Sequence, residues 1–246
     1  MNINLKQNER IDDLEYKGLR IIQNTEGFCF GIDSVLLTDF AKEIKPSSKV
    51  IDLGSGTGII PILLSAKTKN TNFIGIEIQE DVAEMASRSI ELNHLENRIK
   101  IENDSISNLK AKYEKGSFDV VTTNPPYKKL NTGLVNENSQ KLISRHEITA
   151  SLEDFIEITS YLLKDFGEFY MVHRPDRLVD IIYLMRYYNI EPKKIRFVYP
   201  NRQKPTNLIL IKGVKCGKPF LKYEDNLYVY DEDGNYTEDI LRIYNK

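Results

Sequence analysis

The apolar positions of the chain follow two alternating periods. Short, nearly unbroken apolar runs, such as Val50-Ile51-Asp52-Leu53 and Phe118-Asp119-Val120-Val121, suit strands buried on both faces. Between such runs, apolar residues recur every three or four positions. Ile32, Val35, Leu36, Phe40 and Ile44 follow that spacing, which predicts one buried face of a helix. On this basis strands are expected over 50–53, 73–78, 98–102, 118–123, 167–172, 194–199 and 208–211. Helices are expected over 32–44, from 59 onward, and over 81–93, 152–163 and 178–188. Strands alternating with helices imply βαβ units and a parallel sheet with helices on its faces. The link 200–207 is short enough for a hairpin, so the final strand is expected to run antiparallel.

The flanks of this repeating unit read differently. Residues 1–15 are polar and charged and suggest a loose arm. Leu19-Arg20-Ile21-Ile22 and Phe28-Cys29-Phe30 suggest two short strands around a turn at Glu26-Gly27, and Pro46 stops the helix that follows. Residues 220–246 carry Leu227-Tyr228-Val229-Tyr230 and a turn at Asp233-Gly234, an appendage for a sheet edge. The 246 residues suit one domain. Within it, 1–45 would cover a pocket, 46–213 form the core, and 214–246 extend the edge.

The first core strand runs into three glycines at alternate positions, Gly54, Gly56 and Gly58, and then into the helix that begins at Ile59. Strand, glycine turn and helix form a crevice beyond the carboxyl ends of the strands, where nucleotides bind in open α/β sheets. A dinucleotide fingerprint needs glycine at position 59, where Ile59 stands, and the lysine of a P-loop is missing. The next strand, 73–78, carries Glu77 at its end. A carboxylate there can accept both hydroxyl protons of an unphosphorylated ribose. Asp33 or Ser34, ahead of the loop, could meet the polar end of such a ligand; alternatively Asp33 simply caps its helix.

A second motif closes the fourth core strand: Asn124-Pro125-Pro126-Tyr127. Neither proline has an N–H, so the pair ends the ladder and holds the chain stiffly at the sheet edge. Their carbonyls remain free to accept. Asn124 adds a side-chain acceptor, and Tyr127 a flat ring. This set fits a planar –NH2 whose lone pair is delocalised into a ring or carbonyl. The Asn124 side-chain oxygen and the Pro125 carbonyl can take its two protons and favour charge developing on nitrogen. Tyr127 would stack on a flipped-out base.

Composition narrows the setting. Lys and Arg total 34 against 36 Asp and Glu, a net charge of −2, which argues against nonspecific coating of nucleic acid. A local basic face is still available. Lys128, Lys129, Lys141, Arg145 and His146 follow the second motif, within a polar segment (128–150) long enough for a substrate lid. Arg174, Arg177, Lys193, Lys194, Arg196, Arg202 and Lys204 lie in or near later strand ends. Folded RNA offers phosphates to such groups. No run approaches the roughly 20 apolar residues of a membrane span, and Met1 to Lys6 has no apolar signal core. A cytoplasmic location is expected. Cys29 and Cys216 make neither a disulfide framework nor a metal pattern, and no metal is expected.

Asp52-Leu53-Gly54-Ser55-Gly56-Thr57-Gly58, Glu77 and Asn124-Pro125-Pro126-Tyr127 together resemble the class I S-adenosyl-L-methionine (SAM) dependent amino-methyltransferases. Further segments, among them Phe28 to Leu37, Glu77-Ile78-Gln79, Arg145-His146-Glu147 and Arg174-Pro175-Asp176-Arg177-Leu178, are similar to the bacterial tRNA-Val (adenine-37-N6)-methyltransferase family. The resemblance implies a Rossmann-like, seven-stranded α/β fold, SAM as cofactor and tRNA as substrate. It also implies roles. Asp52 and the backbone at Gly54, Gly56 and Gly58 would face the methionine portion of SAM, Glu77 the ribose, and Ile78 the adenine. Asp104, with Ser105 beside it, would accept from the adenine amine, and Asn124, Pro125, Pro126 and Tyr127 would hold the target. A release-factor-type protein glutamine N5-methyltransferase, or another RNA or DNA amino-methyltransferase, could use the same motif. Either rival would usually carry a further recognition domain.

Overall fold

The computed structural model describes residues 4–27, 30–69, 71–127 and 150–246. Lys128, Lys129, Lys141, Arg145, His146 and Glu147, together with the expected strand residues Phe28 and Cys29, lie outside the described residues.

Most of the expected strands and helices are present, with shifted ends. The chain runs through β1 (Glu9–Asp13), β2 (Arg20–Asn24), α1 (Ile32–Phe40), β3 (Lys49–Leu53), α2 (Ile59–Lys67), β4 (Asn72–Glu77) and α3 (Glu80–Leu92). It continues through β5 (Ile99–Asn103), a 3-10 turn (Ile106–Asn108), α4 (Leu109–Lys112) and β6 (Phe118–Thr123). After α5 (Leu152–Leu162) come β7 (Leu163–His173), α6 (Leu178–Tyr187), β8 (Ile190–Tyr199) and β9 (Leu208–Lys215). The tail adds β10 (Lys222–Tyr223), β11 (Leu227–Tyr228) and α7 (Glu238–Ile243).

Seven core strands lie in the order β8-β9-β7-β6-β3-β4-β5, and the short tail strands β10 and β11 both pair with β8. β9 runs antiparallel to both its neighbours, and the other core pairings are parallel. The side chains of each strand alternate between two cores. Val50, Val120, Tyr170 and Leu210 pack on the face shared with α1 and α2. Ile51, Val121, Phe169 and Ile209 pack on the face shared with α5 and α6. Burial on both faces accounts for the near-continuous apolar runs. It also fixes register, because a one-residue slip would exchange the two faces.

Three expectations need correction. Residues 9–13 are not a loose arm but a strand paired antiparallel with β2. Their polar sequence hid this, because the hairpin is held from outside: Arg88 on α3 makes a two-pronged ion pair with Glu9, at 2.6 and 2.8 Å. α1 ends at Phe40, not at residue 44; Ile44 is buried from a turn, so its apolar character reports burial and not helix. β7 begins at Leu163, well before residue 167. Leu163 pairs with Phe118, but the next partner of β6 is Glu168, so the intervening residues bulge and carry Phe166 at φ 63° into solvent. Polar Lys164 and Asp165 in that bulge masked the strand's start.

The parallel register brings the ends of β3, β4, β6, β7 and β8 to one edge of the sheet. Leu53 pairs with Thr123, and Thr123 with Met171. The glycine loop, the Asn-Pro-Pro-Tyr turn and His173 therefore leave the sheet side by side.

Candidate active site

The glycine loop is built from beneath. Ser55 N–H donates to the Ile76 carbonyl at 2.8 Å, which ties the loop to β4. Gly75 must lack a side chain, because a Cβ there would lie 2.6 Å from Ser55 Oγ. Gly58 N-caps α2 at φ 83°, a left-handed conformation that glycine adopts without strain. Asp52 lies under the loop, 1% exposed. Its carboxylate accepts from Ser55 Oγ at 2.8 Å and Thr122 Oγ1 at 2.6 Å, clasping the loop to β6. Burial pushes its pKa up to about 7; the two hydroxyl donors oppose that push and the nearby Glu77 charge adds to it.

Glu77, at the end of β4, is turned toward the loop. One carboxylate oxygen accepts from Gly56 N–H at 2.9 Å and the other from Gln79 N–H, also at 2.9 Å. Backbone amides thus fix the carboxylate, and its remaining lone pairs are left for a ligand. Nothing lies within 4 Å of the place a Cβ at Gly56 would occupy, so the crevice is open above the backbone. Ile78, directly after Glu77, is 47% exposed and offers an apolar surface at the same edge. Asp104 follows β5, and its backbone N–H donates to the Glu77 carbonyl at 3.0 Å. Its carboxylate accepts from Ser105 N–H, Asn108 Nδ2 and Lys112 Nζ, and the Lys112 contact holds its pKa below the usual carboxylate range. The Ser105 hydroxyl caps the 3-10 turn through Ser107 N–H. The parts of Lys112 and Asn108 in this arrangement were not evident in the sequence.

On the other side, Asn124 is gripped by helix α1. Its Nδ2 donates to Asp33 Oδ2 at 3.0 Å and to Ser34 Oγ at 3.1 Å. The Tyr127 hydroxyl lies within donating distance of Asp33 Oδ2, at 3.0 Å, and of Asn124 Oδ1. Burial and the Asp33 charge push the Tyr127 pKa far up, so the phenol stays protonated and remains a donor. The helix cap is Gly31, so Asp33 is not the cap; a Cβ at Gly31 would lie 2.7 Å from Asp33 Oδ1. Asp33 and Ser34 instead orient the Asn124 amide, with its nitrogen toward α1 and its oxygen toward Tyr127. Ninety residues of sequence separate these partners, and no local pattern announces the contact.

Next to the turn is a cavity of about 490 Å³, bounded by Pro125, Tyr127, Phe155, His173, Arg177 and Tyr183. Volumes of that order suit a small ligand or a single nucleotide. Of the basic residues singled out in the sequence, Arg177 reaches this cavity, paired with Asp180 at 2.6 Å. Lys193, Lys194 and Arg196 are engaged elsewhere: they bind the Lys218 carbonyl, Glu43 and Glu224, and the Asp225 carbonyl.

The model of the methyltransferase small domain family matches residues 31–179, from the start of α1 through both motifs to the beginning of α6. The chain belongs to the methyltransferase small domain family. Relatives of this methyltransferase at lower identity extend the match over nearly its full length. A tRNA1(Val) (adenine(37)-N6)-methyltransferase of Pedobacter heparinus is 25% identical over 228 residues, covering 91% of this chain and 92% of that one. The enzyme of the same name from Porphyromonas gingivalis is 27% identical and covers 94% and 93%. Among solved structures, a predicted O-methyltransferase from Agrobacterium tumefaciens superposes with a TM-score of 0.69 at 19% identity, over 87% of this chain and 95% of that one. Geranyl diphosphate C-methyltransferase of Streptomyces coelicolor, in complex with S-adenosyl-L-homocysteine, superposes at 0.55 and 13% identity, over 74% and 78%. These likenesses show the class I methyltransferase fold.

Proposed function

We propose that this SAM-dependent methyltransferase transfers a methyl group to the exocyclic N6 amine of an adenine in tRNA, at the position next to the anticodon of tRNA-Val. The oriented Asn124 amide carries the reading. A side-chain oxygen held by its own amide's contacts to Asp33 and Ser34 is a preorganised acceptor, which is what a weakly nucleophilic planar amine requires. The full-length likeness to the tRNA1(Val) enzymes supports the choice of adenine in tRNA.

SAM, when bound, supplies an electrophilic methyl carbon attached to a positively charged sulfur. The residues at the crevice fit such a ligand: an open glycine backbone, a fixed Glu77 carboxylate with spare acceptor capacity for ribose hydroxyls, and an exposed Ile78 for the adenine. Gly54, Gly56 and Gly58 would let the methionine portion approach, with Asp52 holding their loop from below. Asp104 and Ser105 would meet the adenine edge. The Asn124 oxygen and the Pro125 carbonyl would take the two protons of the target amine and direct its lone pair. Pro126 keeps the turn stiff, and Tyr127 would pack on the ring. Asn124 Oδ1 has two lone pairs, so an arriving amine proton can share it with the Tyr127 hydroxyl or displace that hydroxyl onto Asp33.

No group of three or more potential metal ligands, and no helix long and apolar enough to cross a membrane, occurs among the described residues. With tRNA as its substrate, the enzyme would act in the cytoplasm. We read 1–246 as one domain with 214–246 as its edge extension; the pairing of β10 and β11 with β8 supports this. The test is transfer from methyl-labelled SAM to unmodified total tRNA, followed by nucleoside mass spectrometry. Label in N6-methyladenosine is expected. Label on a protein glutamine would support the release-factor-type alternative.

A further inference from the structure

His173 is the last residue of β7, and the register from Thr123 to Met171 sets it beside the Asn-Pro-Pro-Tyr turn. It is 2% exposed, and its ring meets that of Tyr127 edge-on, with centroids 5.1 Å apart. What remains open of it lines the cavity next to the turn. A buried imidazole with so little contact to water needs partners for both nitrogens. Nδ1 has one: the backbone N–H of Arg174 points at it from 2.8 Å, closer than the Arg174 carbonyl, which lies 3.3 Å from the same nitrogen. Two N–H groups cannot face each other at that distance, so Nδ1 is an acceptor and the ring proton of the neutral tautomer sits on Nε2. Burial lowers the pKa of the ring, which keeps that neutral form. Both hydrogen-bond contacts of the ring among the described residues are made at Nδ1. His173 lines the cavity, and Nε2–H is the ring donor left for a ligand there.

We propose that His173 Nε2–H binds the ring nitrogen adjacent to the target amine, adenine N1, and so reads the base. The chemistry is complementary. The Asn124 and Pro125 oxygens accept from an –NH2, and the atom next to that –NH2 on adenine is an unprotonated acceptor. In guanine the nitrogen at that place carries a hydrogen and would confront the imidazole N–H, donor against donor. In the same pose guanine also sets O6 against the two acceptor oxygens, so the Asn124–Pro125 clamp and the imidazole donor reject it together. Because Nδ1 is held by main chain, the ring cannot turn to offer its acceptor side. The edge contact with Tyr127 ties this reader to the ring expected to pack on the base. His173 is a binding residue on this account, and it takes no proton during transfer.

This inference rests on the adenine reading above, and one experiment separates the two. Full-length tRNA is assembled with adenosine, 1-deazaadenosine or 7-deazaadenosine at the target position. Each is assayed with the wild-type enzyme, with His173→Leu and with His173→Gln, whose amide N–H reaches about as far as Nε2. On adenosine, His173→Leu is expected to lower kcat/KM about 10- to 100-fold, the scale of an orphaned buried hydrogen-bonding group, and His173→Gln to recover most of the loss. On 1-deazaadenosine, which lacks the ring acceptor, His173→Leu should cost less than about threefold relative to wild type, the non-additivity expected of contacting groups. The 7-deaza substrate should behave like adenosine. SAM affinity and thermal midpoint report whether each variant is folded. Equal losses from His173→Leu on all three substrates would mean a structural role only, and overturn the proposal. So would no loss on adenosine, or a coupling that appears with 7-deazaadenosine instead. Wild-type enzyme inert on the adenosine tRNA would overturn the adenine reading, and this proposal with it.

Discussion

The two sides of the candidate site are built by different means. On the cofactor side, backbone does most of the holding: the amides of Gly56 and Gln79 fix the Glu77 carboxylate, and the Ile76 carbonyl ties down the glycine loop, with Asp52 clasping it from below. On the target side, side chains hold side chains: Asn124, Asp33, Ser34 and Tyr127 form a closed polar cluster that joins β6 to a helix from the start of the chain. Such a cradle depends on its glycines and on the carboxylates that hold or line it, Asp52 and Glu77. In a side-chain cluster the loss of one member disturbs the others, so effects spread beyond the residue removed. Affinity for the methyl donor should therefore depend on a few positions, and turnover on a wider set.

The largest effect that would test this difference is Asn124→Ala. Methyl transfer should fall about 100- to 1000-fold, the cost of removing a preorganised acceptor or donor in other sites, while SAM affinity measured by calorimetry stays near wild type. Loss of both together would mean that the sides are not separable. Glu77→Ala should do the reverse, weakening SAM binding by about 1–3 kcal/mol, with a much smaller change in turnover at saturating SAM.

A third variant probes the clasp beneath both sides. The folded-state pKa of Asp52 is raised to about 7, so between its unfolded value and about 7 the folded protein binds the extra proton. Stability from this group is therefore present at low pH and is lost as pH rises through that window. Relative to Asp52→Asn, wild type should lose about 2 kcal/mol of unfolding free energy between about pH 5 and about pH 7. Parallel pH profiles in denaturant titrations would count against the buried carboxylate.

A smaller effect distinguishes the two roles considered for Asp33. If it orients Asn124 and Tyr127, Asp33→Ala should cost about tenfold in kcat through mispositioning of the amide and leave SAM affinity alone. If it instead met the polar end of the cofactor, SAM affinity would fall with it.

How much of this the sequence disclosed follows the same division. The strand-loop-helix around Gly54, Gly56 and Gly58 was legible because its constraints are local. Apolar runs mark strands buried on both faces, and glycine marks places where backbone must come close. Glu77 and Asn124-Pro125-Pro126-Tyr127 were legible because each ends a strand that the apolar pattern had already placed. The grip of Asp33 and Ser34 on Asn124 was not, since it depends on how a distant helix packs. His173 was hidden for a similar reason: only the register between β6 and β7 brings it beside Tyr127. The hairpin strand at 9–13 has no apolar signature, because an ion pair from α3 helps secure it.

The most direct test is a crystal structure with S-adenosyl-L-homocysteine and adenosine bound together. The account predicts the sulfur in the crevice between the glycine loop and the end of β6. The adenosine amine should lie within hydrogen-bonding distance of both Asn124 Oδ1 and the Pro125 carbonyl. A complex with the sulfur turned away from the Asn-Pro-Pro-Tyr turn, or the amine bound elsewhere, would contradict it.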